Sequence, residues 1–190
     1  MLIGREDGKA ELVDTRTGRR LQFLGHTEQV NTVDLSANGR YALTGGNDYS
    51  AYLWDTRTGQ VVWRFNHGGR VVMARLDPAG RFAFTADSRQ ASIWDLKTGK
   101  EVSRLQLAHR FEVYTSARFA NDGNWLITGA PSRQLSLRRV SDGSLQQSWR
   151  VSPHPKGKPP SAVVYGVALR DNGHLVSASS SGLAEIWTIK

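Results

Sequence analysis

A hydroxyl, an imidazole and a carboxylate stand close together in the segment HTEQVNTVDLSANGRYALTGGNDYSAYLWD. They belong to Thr44, His26 and Asp48, and Trp54 follows six residues after the aspartate. Threonine, histidine and aspartate are the members of a nucleophilic triad, in which the base activates the hydroxyl. The same groups can also serve structure, because a buried indole N–H only donates and needs an acceptor such as a threonine hydroxyl. The elements that position these residues decide between the two uses.

The segment is one copy of an internal repeat of about forty residues. One set of turn glycines is spaced by 41, 40 and 44 residues: Gly18, Gly59, Gly99 and Gly143. A second set is spaced by 41, 43 and 50 residues: Gly39, Gly80, Gly123 and Gly173. Apolar residues keep phase with the first set, six residues later: Leu24, Phe65, Leu105 and Trp149. Short alternating runs between the turns, without helical periodicity, predict four strands in each copy.

A repeat of this length with four strands and a Trp-Asp ending, as at Trp54-Asp55 and Trp94-Asp95, is typical of a β-propeller blade. Over essentially the whole chain the sequence resembles WD-repeat proteins. The stretch SANGRYALTGGNDYSAYLWDTRTG is similar to bacterial members, especially bacterial WD-repeat lipoproteins. The resemblance implies an all-β fold, a WD-repeat propeller of four-stranded antiparallel blades. It also implies a periplasmic protein if an export signal lies upstream of Met1, and a cytoplasmic one otherwise.

The repeats predict one β-propeller domain over residues 1–190, with about three complete blades and two partial ones. The predicted units are a partial blade at 1–24, blades at 28–66, 70–107 and 112–150, and a partial blade at 162–188. The first lacks its inner strand and the last lacks its outer strand. Two interpretations stay open: the C-terminal part of a longer propeller, or a five-bladed ring with two incomplete blades. Because an incomplete ring exposes apolar sheet faces, the first interpretation predicts self-association.

The WD-repeat resemblance implies that His26, Thr44, Asp48 and Trp54 form a structural tetrad, in which the indole donates to Thr44, Thr44 to His26, and His26 to Asp48. This role is favoured over catalysis, because the hydroxyl is expected to lie against a tryptophan rather than in a cleft. The later repeats depart from the pattern in the following residues: His67, Thr85 and Trp94 with Ser88 at the aspartate position; His109 and Thr128 with Ser132 and Arg138; and His154 and Trp187 with Ser177 and Ser181. We therefore expect one strong tetrad and several weakened ones.

Composition and motifs argue against a reaction centre. The chain has no cysteine, and no phosphate-binding loop, zinc-protease or serine-hydrolase motif occurs. Four of the five histidines occupy the corresponding position in four different repeats. They would therefore lie on different blades, too far apart to share a metal ion. We predict no catalytic residue, no cofactor and no metal site. A net charge of +8 favours acidic partners.

The longest connection, RVSPHPKGKPPSA between Trp149 and Val163, lies on the top face in the WD-repeat arrangement. Basic residues expected on this face are candidate partner contacts: Arg70, Arg89, Arg110, Arg133, Lys156 and Lys158. The opposite face is basic too, at Arg16, Arg57, Lys97 and Lys100, so general basicity is a rival explanation. We predict a noncatalytic scaffold that binds a protein or peptide partner, with an acidic surface as one candidate. The alternatives are an enzyme or ligand-binding protein with a central-channel site, and nucleic-acid binding.

Overall fold

The computed structural model describes residues 1–106, 113–120, 122–154, 161–170 and 173–189. All regular secondary structure in these ranges is β-strand. The described residues therefore contain no helix long and apolar enough to cross a membrane.

The strands form five antiparallel sheets, each paired in sequence order. Sheet 1 contains β1 (Leu2–Gly4), β2 (Ala10–Val13) and β3 (Arg20–Phe23). Sheet 2 contains β4 (Val30–Leu35), β5 (Tyr41–Gly46), β6 (Ser50–Asp55) and β7 (Val61–Asn66). Sheet 3 contains β8 (Met73–Leu76), β9 (Phe82–Ala86), β10 (Ala91–Asp95) and β11 (Glu101–Arg104). Sheet 4 contains β12 (Ser116–Phe119), β13 (Trp125–Gly129), β14 (Gln134–Arg139) and β15 (Leu145–Arg150). Sheet 5 contains β16 (Val164–Arg170), β17 (His174–Ser179) and β18 (Ala184–Thr188).

Each sheet packs face to face on the next, and an apolar cluster fills each junction. Between sheets 2 and 3, for example, Leu43 and Leu53 pack with Val71 and Leu76. Middle strands such as β6 are consequently buried on both faces, whereas the outer strand β7 is largely exposed. The inner strands β4, β8, β12 and β16 lie side by side. This arrangement confirms the predicted fold class, and the described sheets form an open arc rather than a closed ring.

Glycine allows the closest approach between neighbouring sheets. A Cβ atom on Gly45 would lie 2.5 Å from a methyl carbon of Val71, and one on Gly129 would lie 2.5 Å from the same atom of Val164. Any side chain at these two positions would push Val71, in the connection before β8, or Val164 of β16 outwards. Glycine therefore permits this close approach from sheets 2 and 4, whereas sheet 3 has Ala86 at the equivalent position.

One predicted register is wrong by a single residue. Leu24, expected to be in phase with Phe65, is 68% exposed, and Phe23 takes the buried position at 4%. In sheet 2 the pairing of β6 with β7 shifts by one residue between Leu53 and Trp54. The pairing of β2 with β3 has no such bulge, so its outer strand reaches the equivalent position one residue earlier.

The fifth sheet presents an uncovered apolar face. The cross-strand pair Val176 and Ile186 corresponds to Leu43 and Leu53 of sheet 2. Ile186 is 60% exposed, whereas Leu53 is only 2% exposed because sheet 3 covers it. Sheet 5 thus has the apolar side chains of a face that packs on another sheet, but no described residue covers them.

Candidate functional site

The predicted tetrad residues of sheet 2 come together at one end of the sheet. His26, in the connection before β4, places Nε2 2.9 Å from Thr44 Oγ1 and Nδ1 3.0 Å from both carboxylate oxygens of Asp48. Burial lowers the pKa of His26, although Asp48 opposes the shift. The neutral ring therefore donates through Nδ1 to Asp48 and accepts from the Thr44 hydroxyl through Nε2. This network ties the connection before β4 to the turn between β5 and β6.

The indole of Trp54 stands apart from the network. Its Nε1 is buried and has no hydrogen-bond partner among the residues that the structure describes, so the expected bond to Thr44 is not formed. The ring instead stacks on Phe23 of sheet 1, with centroids 4.9 Å apart and planes within 5°. Thr44 is fully buried, which leaves its hydroxyl no open side from which to attack a substrate.

Sheet 3 has a second network whose acidic member the sequence comparison missed. Trp94 Nε1 donates to Thr85 Oγ1 at 2.7 Å, and Thr85 Oγ1 lies 2.8 Å from His67 Nε2. The residue facing His67 is Asp87, whose Oδ2 lies 3.5 Å from Nδ1 of the histidine. The prediction that Ser88 occupies this position is therefore wrong. Burial lowers the pKa of His67, with Asp87 again opposing the shift.

The aspartate of sheet 3 comes from a different position of the turn, directly after Ala86, whereas Asp48 is the third residue after Gly45. Five residues separate the paired Gly45 and Ala51 in sheet 2, but only four separate Ala86 and Ala91 in sheet 3. Asp48 lies six residues before Trp54, whereas Asp87 lies seven residues before Trp94, so counting six back from Trp94 reaches Ser88 and stops one residue short of the aspartate. Asp87 also accepts the backbone N–H groups of Arg89 and Gln90 at 2.6 Å each, which closes the shorter turn.

The networks of sheets 4 and 5 are reduced. In sheet 4 Arg138 occupies the tryptophan position and is 2% exposed. Its Nη1 donates to the carbonyl of Gly143 at 3.4 Å, whereas its Nε has no hydrogen-bond partner among the described residues. His109 lies outside the described residues. In sheet 5 Trp187 donates to Ser177 at 2.9 Å, and His154 is exposed. The other two sequence-derived positions serve locally: Ser132 forms an isolated bridge with Ala162, and the hydroxyls of Ser181 and Ser179 lie 2.7 Å apart.

The candidate partner contacts that the structure describes lie in loops at the same end as the histidines. Arg70 and Arg89 are exposed, in the connection before β8 and in the turn between β9 and β10. Arg133, between β13 and β14, is half-buried and donates from Nε to the Val151 carbonyl at 2.9 Å. It therefore holds the next connection in place. Arg110, Lys156 and Lys158 lie outside the described residues.

A cavity of about 490 Å³ on the inner wall was not foreseen from the sequence. Its lining includes Asp34, Arg75, Arg118 and Tyr165, one from each of the four inner strands. The first three directly precede in-phase apolar residues, so a position-by-position comparison of the repeats would have found them. Among the described residues no group of histidines and acidic side chains is placed to hold a metal ion.

One repeat matches a known family. Residues 18–55, which contain His26, Thr44, Asp48 and Trp54, match the family described as WD domain, G-beta repeat. The match supports the WD-repeat resemblance for this part of the chain. No curated protein matches the chain.

A solved structure shares the fold. The crystal structure of the computationally designed Ika8 protein superposes with a TM-score of 0.80 at 21% identity. The match covers 99% of this chain and 55% of the designed one, so the present chain spans about half the length of that protein. At this identity the likeness shows the architecture alone.

Proposed function

We propose that this chain is a noncatalytic scaffold that presents loops at one end of its sheets to a protein or peptide partner. The observation that carries the proposal is that connections between sheets and turns within sheets meet at this end, where exposed Arg70 and Arg89 lie. Arginine is favoured at protein interfaces, and a basic rim speeds the encounter with an acidic partner.

The bases of these loops are fixed by internal contacts. His26 with Asp48, and Arg133 with Val151, each join a connection between sheets to a turn within a sheet. A preorganised surface loses less conformational entropy when it binds. This rigidity supports a docking surface rather than a set of passive linkers.

Backbone strain marks the same end. Tyr49 and Arg133 have φ values of 63° and 70°, in the left-handed region that side chains other than glycine rarely adopt. Both lie in turns between the second and third strands of a sheet. Tyr49 is 50% exposed, so an aromatic ring of the kind enriched at interfaces is held outwards at some energetic cost.

We also propose that the other sheets are diverged copies of the same repeat, in a WD-repeat protein of bacterial type. Support comes from the indole-to-hydroxyl hydrogen bonds of Trp94 with Thr85 and of Trp187 with Ser177, which lie outside the segment matched to the family. The proposal predicts that a partner contacts loops from several sheets rather than from sheet 2 alone.

The decisive experiment compares two sets of charge-neutralising substitutions against a partner isolated by affinity capture. The test set replaces Arg70, Arg89, Lys156 and Lys158 with glutamine; Arg133 is left intact because its guanidinium holds Val151. The control set replaces Arg16, Arg57, Lys97 and Lys100 at the other end. We expect the test set to slow association and flatten its salt dependence, with the Tm nearly unchanged.

Equal weakening by the two sets would show that the positive charge acts diffusely and would refute the loop site. Binding to unrelated nucleic-acid sequences with a steep salt dependence, lost in both sets, would favour the nucleic-acid alternative.

We further propose that the uncovered face of sheet 5 drives self-association. Its apolar residue Ile186 is 60% exposed where equivalent residues Ile93 and Leu137 are buried. Ile186→Ser should shift the chain towards monomer in sedimentation velocity, because each buried apolar side chain contributes about 1.5–3 kcal/mol to an interface. Leu145→Ser on outer strand β15, where Leu145 is 46% exposed, is the matched control. A monomeric wild-type chain would refute this part.

A further inference from the structure

The cavity on the inner wall carries an inference beyond the proposed scaffold function. Strands β4, β8, β12 and β16 line a space of about 490 Å³, within the range of small-ligand sites. It lies along the inner strands rather than in the loops that carry the candidate partner contacts. Three successive inner strands place charged residues at the same repeat position of this cavity.

These residues are Asp34, Arg75 and Arg118. Residues at matching positions of adjacent strands are neighbours. Burial raises the pKa of Asp34, and the Leu76 N–H and the positive charges of Arg75 and Arg118 oppose that shift. Both guanidinium groups therefore lie within electrostatic reach of the carboxylate.

The carboxylate of Asp34 does not neutralise the two arginines. Its oxygens accept backbone N–H groups, from Leu76 at 2.7 Å and from Leu35 at 3.0 Å. Arg75 donates one N–H, from Nη1 to the Ala74 carbonyl at 2.7 Å, and keeps its other donors. Arg118 is exposed and forms no hydrogen bond or salt bridge within the described part of the chain. Two guanidinium groups against one carboxylate leave the cavity with an excess positive charge.

The other acid in the lining, Asp77, is already paired. It is fully buried and accepts from Arg81 Nε at 2.9 Å. It therefore offers Arg75 and Arg118 no counter-charge of its own.

Backbone donors on the cavity side of β12 complete the site. On β8 the N–H groups of Ala74 and Leu76 are accepted by side chains of β4, Thr32 Oγ1 at 3.2 Å and Asp34 Oδ2 at 2.7 Å. The equivalent donors of β12 belong to Ala117 and Phe119.

Donors alternate in direction along an antiparallel strand. Since Ala120 N–H bonds to Trp125 within sheet 4, the N–H groups of Ala117 and Phe119 point towards β8. The facing residues of β8 are Met73, whose sulfur is only a weak acceptor, and Arg75, which has no acceptor, so neither replaces Thr32 and Asp34.

We propose that this cavity binds a carboxylate, held by the guanidinium groups of Arg75 and Arg118 and by amide N–H groups of β12. Arginine and backbone N–H groups are the donors that carboxylates bind most strongly. A monoanion matches the single excess charge, whereas a phosphate dianion would be opposed by Asp34. The carboxylate comes either from a free small acid or from an acidic residue of a peptide.

The test is a titration followed by ¹⁵N NMR of the full chain with acetate, an N-acetylated glutamyl amide and inorganic phosphate as probes. We expect saturable shifts of the Ala117 and Phe119 amides with the carboxylates. Arg75→Gln with Arg118→Gln should weaken binding at least tenfold. The matched control is Arg19→Gln with Arg57→Gln, because those arginines line a cavity of about 460 Å³ beside Asp14 at the other end of sheets 1 and 2.

A gain-of-binding variant excludes misfolding as an explanation. Asp34→Asn keeps an acceptor for Leu76 and removes the opposing charge, so it should tighten carboxylate binding severalfold. Tighter binding of the glutamyl amide than of acetate would support a peptide source, and equal binding would support a free acid. The proposal fails if the carboxylates give no saturable shifts, if phosphate binds more tightly than they do, or if the control pair removes binding equally.

Discussion

Sheets 2 and 3 hold their loops with the same four kinds of side chain but break the chain of contacts at opposite ends. In sheet 2 the contact of His26 with Asp48 is close, at 3.0 Å, and the indole N–H of Trp54 is unpaired. In sheet 3 Trp94 donates at 2.7 Å, and the separation of His67 from the aspartate is 3.5 Å. The two networks share the central bond between histidine and threonine.

They also share an aromatic stack across the junction between sheets. Phe23 lies against Trp54, and Phe65 lies against Trp94 with centroids 4.6 Å apart. Since this stack survives in both sheets while each terminal hydrogen bond is lost in one, the packing of the tryptophan ring is the more constant function of that position. The polar bonds refine the loop geometry around it.

The largest expected effect tests that ranking. Trp54→Ala should lower the free energy of unfolding by about 3–5 kcal/mol, because it removes a fully buried indole from the stack. Trp94→Ala should cost less, since Trp94 is only partly buried. Urea denaturation followed by circular dichroism measures both. A loss below about 1 kcal/mol at Trp54 would overturn the importance of the stack.

Removing the histidines should have the next largest effect. His26→Ala strands Thr44 and Asp48 and should cost about 1–3 kcal/mol. His67→Ala should cost less, because its contact with Asp87 is longer. His154→Ala, at an exposed position, serves as the control and should change little. Equal losses at His26 and His154 would show that the network of sheet 2 contributes nothing to stability.

The same variants carry a pH signature. Burial lowers the pKa of both His26 and His67 below the unfolded value of about 6.5. The unfolded chain then binds more protons, so this part of the stability is complete above pH 6.5 and is lost as the pH falls through the lowered folded pKa values. Wild type should lose stability between pH 7.5 and 5.5, and His26→Ala should have a shallower slope. Identical slopes would mean that His26 is not held neutral by burial.

Phenylalanine substitutions separate ring packing from hydrogen bonding. Trp54→Phe loses no hydrogen bond, whereas Trp94→Phe loses the one to Thr85. Phenylalanine should therefore restore a larger fraction of the stability that the alanine variant loses at position 54 than at position 94. The difference corresponds to one hydrogen bond, about 0.5–1.5 kcal/mol. Equal shares in thermal melts would indicate that the two indoles have the same partners in solution.

The smallest effect concerns the longer turn of sheet 2, which requires Tyr49 at a positive φ. In the shorter turn of sheet 3 no described residue has this strain. Tyr49→Gly relieves the strain, and glycine's own entropy cost offsets part of the gain. We expect stabilisation of about 0.5–1 kcal/mol together with weaker partner binding. Destabilisation would instead make the tyrosine part of the packing.

How far the sequence could predict this molecule depends on whether a feature repeats at constant spacing. Turn glycines and in-phase apolar residues indicate five sheets, because every copy must solve the same packing problem. Leu24 and Ser88 were misplaced because local differences, an absent bulge before Phe23 and an aspartate at another position of the turn, do not disturb the pattern around them.

The candidate site was less predictable than the fold. The unpaired Trp54 N–H depends on distances of a few tenths of an ångström, which no residue pattern records. Arg75 and Arg118 were accessible in principle, since their positions are in phase, but they become a site only when the inner strands lie side by side.

The side chains that link inner strands also set where the arc can bend. Asn31 and Thr32 tie β4 to the backbone of Val71 and Ala74, and Thr115 and Ser116, at the start of β12, bond to the Val164 carbonyl. Between β8 and β12 the described residues have no such bond, although Ser103 anchors the outer part of sheet 3 to Val140. We predict that this junction, bonded at its outer side but not at its inner side, bends more easily than the others. Curvature should therefore vary most between sheets 3 and 4, so that the inner wall opens and narrows while the other junctions move as rigid bodies.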